Sequence, residues 1–210
     1  MQHSNVGWIA VLATGLAVGS QFACAKPMET GAAPLIAARV ETTNAAYELS
    51  RSVLRSADHG KRPFAIVDKQ AATIAVYLGN GALAGQSPVL IGQAWGDEAA
   101  AGAGDRAQFA GGLQAGDRTT PAGRFESEPG HNRAGEAIVW FDYDAALAIH
   151  RLRPGPTYPD RARRLTSTEA ADKRVSAGCI VVPEAFYDLV VQPTLGRSRG
   201  LVYVLAEDPR

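Results

Sequence analysis

The chain has 210 residues, 21 basic and 21 acidic side chains, 46% apolar residues and two cysteines. The neutral balance excludes a general nucleic-acid binder, which needs a basic excess, and the length suffices for one sizeable core with a small appendage. No Cys-x-x-Cys is present, which excludes dithiol exchange, and no paired His, Cys or Asp ligands stand at a recognised metal spacing, so no metal and no cofactor are expected.

In chain order, Gly7 to Gly19 is uncharged and apolar, as long as a signal h-region and too short to span a bilayer. Ala23-Cys24-Ala25 follows as the small-x-small pattern of signal peptidase, so residues 1–25 read as a signal peptide cleaved before Lys26. The n-region lacks Lys and Arg. Acylation of Cys24 as a lipoprotein is the next reading, against which Gln21-Phe22-Ala23 is a poor lead-in, and a buried N-terminal helix is the third. No integral membrane segment is expected after cleavage.

Residues 26–60 read as a tether, Lys26 to Pro34, and one amphipathic helix over Leu35 to Ser56 with Ile36, Val40, Tyr47 and Leu54 on its apolar face, ended by Asp58-His59-Gly60. Residues 61–210 then form the main domain. Short apolar runs separated by turn residues (Phe64 to Val67, Thr73 to Leu78, Leu83 to Ile91) predict a β-meander with its tight reversal at Gly79-Asn80-Gly81. Gly92 to Gly123 is a long Gly/Ala/Asp-rich loop. Its Gly102-Ala103-Gly104 lacks the βαβ context of a dinucleotide site. Further strands are expected at Ala137 to Tyr143, Ala146 to Leu152 and Leu201 to Leu205, and a helix at Pro183 to Val190. The fold class is mainly β with a few short helices.

Cleavage of the leader leaves Cys179 as the only cysteine, in Arg174-Val175-Ser176-Ala177-Gly178-Cys179-Ile180. A lone thiol in an oxidising compartment points to a reactive nucleophile, with a small buried hydrophobe as the plainer reading. A nucleophilic thiol needs a base and donors for an oxyanion. His150 ends an apolar strand at the rim of a sheet and is the candidate base, or else a satisfied structural histidine. His59 and His131 lie in polar, Gly-flanked loops and are expected to be exposed. The amides of Gly178 and Cys179 are candidate oxyanion donors, and Ser176 is a candidate support of the Cys179 turn or a plain turn residue. Between His150 and Arg174, seven cations face three anions, an excess suited to an anionic ligand or simply to a solvated loop. Thr166-Ser167-Thr168-Glu169 has the form of a capping box for a short helix.

These residues resemble the L,D-transpeptidases and their YkuD-type catalytic domain. The match rests on His150 at a strand end, Ser176-Ala177-Gly178-Cys179-Ile180 as the Ser/Thr-x-Gly-Cys-hydrophobic motif, Thr120-Pro121-Ala122-Gly123-Arg124-Phe125 as a Thr-Pro-x-Gly-x-Phe segment, and the opening strands. It covers roughly Pro63 to Leu205. The resemblance implies a β-sandwich and an exported transpeptidase acting on peptidoglycan stem peptides in the periplasm or cell envelope, in cell wall biogenesis and cell shape. Cys179 would be the nucleophile, His150 the base, and the acceptor amine would come from another stem or an outer-membrane lipoprotein. Water as acceptor would make the chain a carboxypeptidase. The chain departs from the pattern at Ala177, where many members carry His, at Val181, commonly Arg or Asn, and in the 29-residue separation of His150 and Cys179. Arg174, just before the motif, is a candidate to replace the missing charge, and Ala177 a candidate substrate contact. The other readings are a non-catalytic envelope binding module and a different cysteine hydrolase or redox-active thiol protein.

Overall fold

The computed structural model describes residues 42–109 and 112–207. The expected signal peptide and tether, and the expected apolar positions Ile36 and Val40, lie outside them. Helix α1 (Asn44–Ser56) starts where the Thr43 hydroxyl accepts from the Ala46 N–H at 3.2 Å and stops at Ala57, which turns left-handed at φ 54°. The buried stripe of α1 is Ala46, Ser50 and Val53. Tyr47, expected on that face, is 48% exposed; the stripe that meets the sheet runs one position off the larger aromatic.

Ten strands follow among the described residues: β1 (Phe64–Asp68), β2 (Thr73–Tyr77), β3 (Leu83–Pro88), β4 (Ile91–Gly92), β5 (Gly123–His131), β6 (Ala137–Asp142), β7 (Leu147–Arg151), β8 (Arg174–Ser176), β9 (Ile180–Val182) and β10 (Gly200–Val204). The main sheet has the order β3-β2-β1-β10-β5-β6-β7-β9, and β4 pairs separately with β8. Strand β5 makes the sheet two-faced. Its first half, Gly123 to Ser127, pairs with β10, and its second half, Glu128 to His131, pairs with β6. The two halves close on one core in which Val67, Val76 and Val202 of one half meet Val139, Ile149 and Ile180 of the other. Each such fully buried aliphatic contributes about 1.5–3 kcal/mol. The mainly β sandwich with short helices is thus present, preceded by a helix.

Short helices close the faces. Helix α4 (Glu184–Phe186) runs on as a π-helical turn, Tyr187–Val191, and inserts Tyr187, Val191 and Leu195 into the same core. Helix α1 covers the outer face of the first half, where Ala46 and Val53 pack on Phe64, Ile66, Tyr77, Leu201 and Tyr203. Helix α2 (Ala103–Ala107) lies inside the glycine-rich loop. Helix α3 (Tyr158–Leu165), placed between β7 and β8, sets Ala162 and Leu165 against Leu90, Leu152 and Val181 on the outer face of the second half.

Two expectations are corrected here. His59 is buried, with Nε2 at 3.2 Å from Gly79 O and its ring 5.3 Å from Phe64, because the turn after α1 folds back under β1. The Thr166–Glu169 segment caps no α-helix: Ser167 Oγ accepts from the Glu169 N–H and donates to Asp172, opening only a 3₁₀ turn at Ala170–Lys173, while the α-helix between His150 and Cys179 lies before it. Gly123 to His131, to which the sequence assigned no strand, form the central strand β5.

Candidate active site

Cys179 and His150 line one cavity at the edge of the second half-sheet. Parallel pairing of β7 with β9 sets Ile149 against Ile180 and His150 against Val181. Ile149 and Ile180 point into the core, so period-two alternation sends Ala148, His150 and Val181 to the outer face. Cys179, one residue before β9, arrives level with Ala148. Its sulfur approaches Ala146 O at 3.9 Å. A cavity of about 860 Å³ opens on this face, lined by Cys179, His150, Arg153, His131, Trp140 and Tyr143 among others. His131 is exposed, as expected, though it ends a strand.

The imidazole is held in one tautomer. His150 Nδ1 lies 2.8 Å from Arg151 O, and a carbonyl only accepts, so Nδ1 carries the proton and Nε2 is the basic nitrogen. Burial lowers the His150 pKa to about 4, helped by the charges of Arg153 and Arg161 and opposed by the Arg151 carbonyl and Glu136. Burial also pushes the Cys179 thiol up, against the Ala148 backbone N–H and the same two arginines. Both groups are therefore neutral near pH 7, and the sulfur's hydrogen bond goes to Ala146 rather than to His150. The two groups do not form a resting ion pair.

The turn that presents the sulfur is braced from three sides. Ser176 Oγ donates to Cys179 O at 2.6 Å and accepts from the Gly178 N–H at 3.1 Å. Gly178 stands at φ 113°, where a Cβ would lie 2.7 Å from Thr119 O, so only glycine fits. Thr120 Oγ1 donates to Gly178 O and accepts from the Gly92 N–H, both at 2.8 Å. Thr120 O in turn accepts from Lys69, a fully buried ammonium that also bonds Gly96 O and Asp97 and pairs with Glu207. The Thr-Pro-x-Gly segment is thus the clamp that ties the long loop to the cysteine turn.

The expected oxyanion pair is corrected in part: the Gly178 N–H is taken by Ser176, which leaves Cys179 N–H as the backbone donor of that pair. Ala177 is exposed at the turn. Arg174 is also corrected. It is buried, 2.5 Å from Glu207, within 3.4 Å of Gly92 O and Ala94 O, and stacked 3.5 Å from the Trp95 ring centroid. It does not line the cavity, because β8 turns its side chain toward β4 and the buried Lys69 cluster. The cations near the sulfur are Arg153 and Arg161, which sequence reasoning saw only as members of a charge cluster.

A mainly β sandwich that holds a cysteine and a tautomer-fixed histidine at one sheet edge, facing one cavity, defines the class of architecture. No family model matches the chain, and no curated protein matches it. Among solved structures it is similar to the helical cell shape determining protein Pgp2 from Campylobacter jejuni, at 15% identity over 70% of this chain and 49% of that one, with a TM-score of 0.44. It is also similar to an L,D-transpeptidase from Mycobacterium smegmatis (15% identity, 69% and 59% covered, TM-score 0.40) and to the catalytic domain of the E. faecium L,D-transpeptidase (17% identity, 69% and 98% covered, TM-score 0.34). The chain spans about half the length of the Campylobacter protein.

Proposed function

We propose that this chain is an exported cysteine acyltransferase of the cell envelope, an L,D-transpeptidase acting on peptidoglycan stem peptides. The observation that carries the reading is the shared cavity of Cys179 and His150, with Nδ1 of the imidazole committed to Arg151 O and Nε2 left as the base. It joins the motif resemblance at Ser176 to Ile180 and at Thr120 to Phe125.

In this reaction His150 Nε2 takes the thiol proton as Cys179 Sγ attacks the carbonyl of the L-centre of the third stem residue. Cys179 N–H faces the oxyanion. The C–N bond to the terminal D-alanine breaks, and the imidazolium returns its proton to the leaving amine. An acceptor amine, from a second stem or an outer-membrane lipoprotein, then attacks the thioester; the C–S bond breaks and the displaced proton returns through His150 to the thiolate. Water in the acceptor's place gives a carboxypeptidase.

The test is intact mass after exposure to a carbapenem or a tetrapeptide stem. A covalent adduct on Cys179 is expected, absent in Cys179→Ala and formed about 10²–10⁴-fold more slowly in His150→Ala. D-alanine release equal in wild type and Cys179→Ala would point instead to a non-catalytic binding module. N-terminal sequencing of the exported protein is expected to start at Lys26, and a lipid on Cys24 would overturn cleavage at that site.

A further inference from the structure

The insertion between His150 and Cys179 brings a cation to the site that no carboxylate satisfies. Helix α3 docks through Ala162 and Leu165 on Leu90, Leu152 and Val181, and Val181 is the cross-strand partner of His150. The helix therefore sits on the face that carries the cavity. Arg163 and Arg164 are tied to Asp160 at 2.6 and 2.7 Å, Arg151 to Asp188 at 2.8 Å and Arg153 to Glu136 at 2.9 Å. Arg161, partly buried on the same helix, forms no ion pair among the described residues, yet its charge acts on Cys179 and His150, and the charge of Arg153 acts on it. A desolvated guanidinium beside a second guanidinium is costly unless an anion completes it, and its planar fork is shaped for a carboxylate.

We propose that Arg161, seconded by Arg153 at the cavity wall, binds a free carboxylate of the acyl donor and so selects anionic donors for Cys179. The inference rests on the reading of Cys179 as the nucleophile and adds a recognition residue to it. It also accounts for the length of the insertion and for the absence of a cation at Val181: the charge comes from a helix laid over the sheet rather than from the motif itself. Arg161 acts on a carboxylate of the substrate and takes no part in proton transfer.

The experiment compares alkylation of native Cys179 by iodoacetate, an anion, and iodoacetamide, its neutral counterpart. In both, the thiolate displaces iodide and a C–S bond replaces the C–I bond, so only the charge differs. The ratio of the two rates, read by intact mass, is expected to fall about fivefold in Arg161→Gln, to stay near wild type in Arg161→Lys, and to be unchanged in Arg163→Gln. Matched melting curves for the three variants keep misfolding separate from charge. A ratio unmoved by Arg161→Gln overturns the proposal, as does an equal loss of both rates, which would mark Arg161 as a support of the thiolate alone. A wild-type thiol reached by neither reagent overturns both this proposal and the nucleophile reading. A falling ratio without any acyl-enzyme from stem peptides keeps the anion site and removes the transpeptidase.

Discussion

A thiol raised by burial beside an imidazole lowered to about 4 keeps both groups uncharged at neutral pH. The acid limb of the acylation rate is therefore expected near pH 4 rather than near the ordinary histidine value of 6.5, with the rate still rising in alkali as the thiol ionises. An acid limb at about 6.5 in a pH–rate profile would sink this account. The same shift has a stability sign. The folded histidine pKa is depressed, so the contribution is fully present above 6.5 and is lost as pH falls through about 4. Urea unfolding at pH 7 and pH 4.5 is expected to show a loss of about 1–3 kcal/mol from this group, absent in His150→Gln. At this scale the sequence singled out Cys179 and His150, which the fold brings to one cavity, because a cysteine in a Gly-Cys turn and a histidine at a strand end are local signals. It pointed to Arg174 for the supporting charge because adjacency was the only measure on offer. The fold gave that place to Arg161, 18 residues before the cysteine, through helix docking that no spacing rule conveys.

Elements show where legibility stopped. The apolar runs of β1, β2, β6, β7 and β10 were readable because each is bounded by turn residues. Strand β5 was not, since Arg124-Phe125-Glu126-Ser127-Glu128-Pro129-Gly130-His131 mixes charge, proline and glycine. It is a strand because β10 and β6 supply its partners, a tertiary cause. Gly130 has its own reason: a Cβ there would lie 2.5 Å from the Trp140 ring. The Cys179 turn offers the sharper test. Gly178→Ala forces a side chain into a left-handed position against Thr119 O and is expected to cost about 1–3 kcal/mol and to displace the sulfur, so the melting temperature and the iodoacetamide rate both fall. Thr120→Val keeps the shape but leaves the Gly92 N–H and Gly178 O without that partner. A loss of about 1–3 kcal/mol is expected, together with slower acylation. Thr120→Val proteins that acylate at the wild-type rate would show that the clamp does not position the turn.

The two outer faces of the whole molecule are finished in opposite ways. That of the second half holds a cavity with His150, Cys179 and Arg153 and is left open beside α2. That of the first half is closed by α1, whose Val53 is 3% exposed and packs into a cluster with Phe64, Tyr77 and Tyr203. The aromatic rings there are mutually fixed, Phe64 stacked at 4.8 Å on Tyr77 and edge-on at 6.0 Å to Tyr203. Thr43 at the helix start also donates to Asp68 at 2.6 Å, tying α1 to the end of β1. The helix is therefore part of the fold's stability and stands away from its chemistry. Val53→Asp places a charge against this apolar face and is expected to cost about 3–5 kcal/mol, with a lower urea midpoint and increased binding of a hydrophobic dye. Under native conditions the iodoacetamide rate of Cys179 is expected to stay at the wild-type value, since the core separates the two faces. Equal stability of Val53→Asp and wild type would mean that α1 is a passenger, and a changed thiol rate in the folded variant would mean that the two faces communicate.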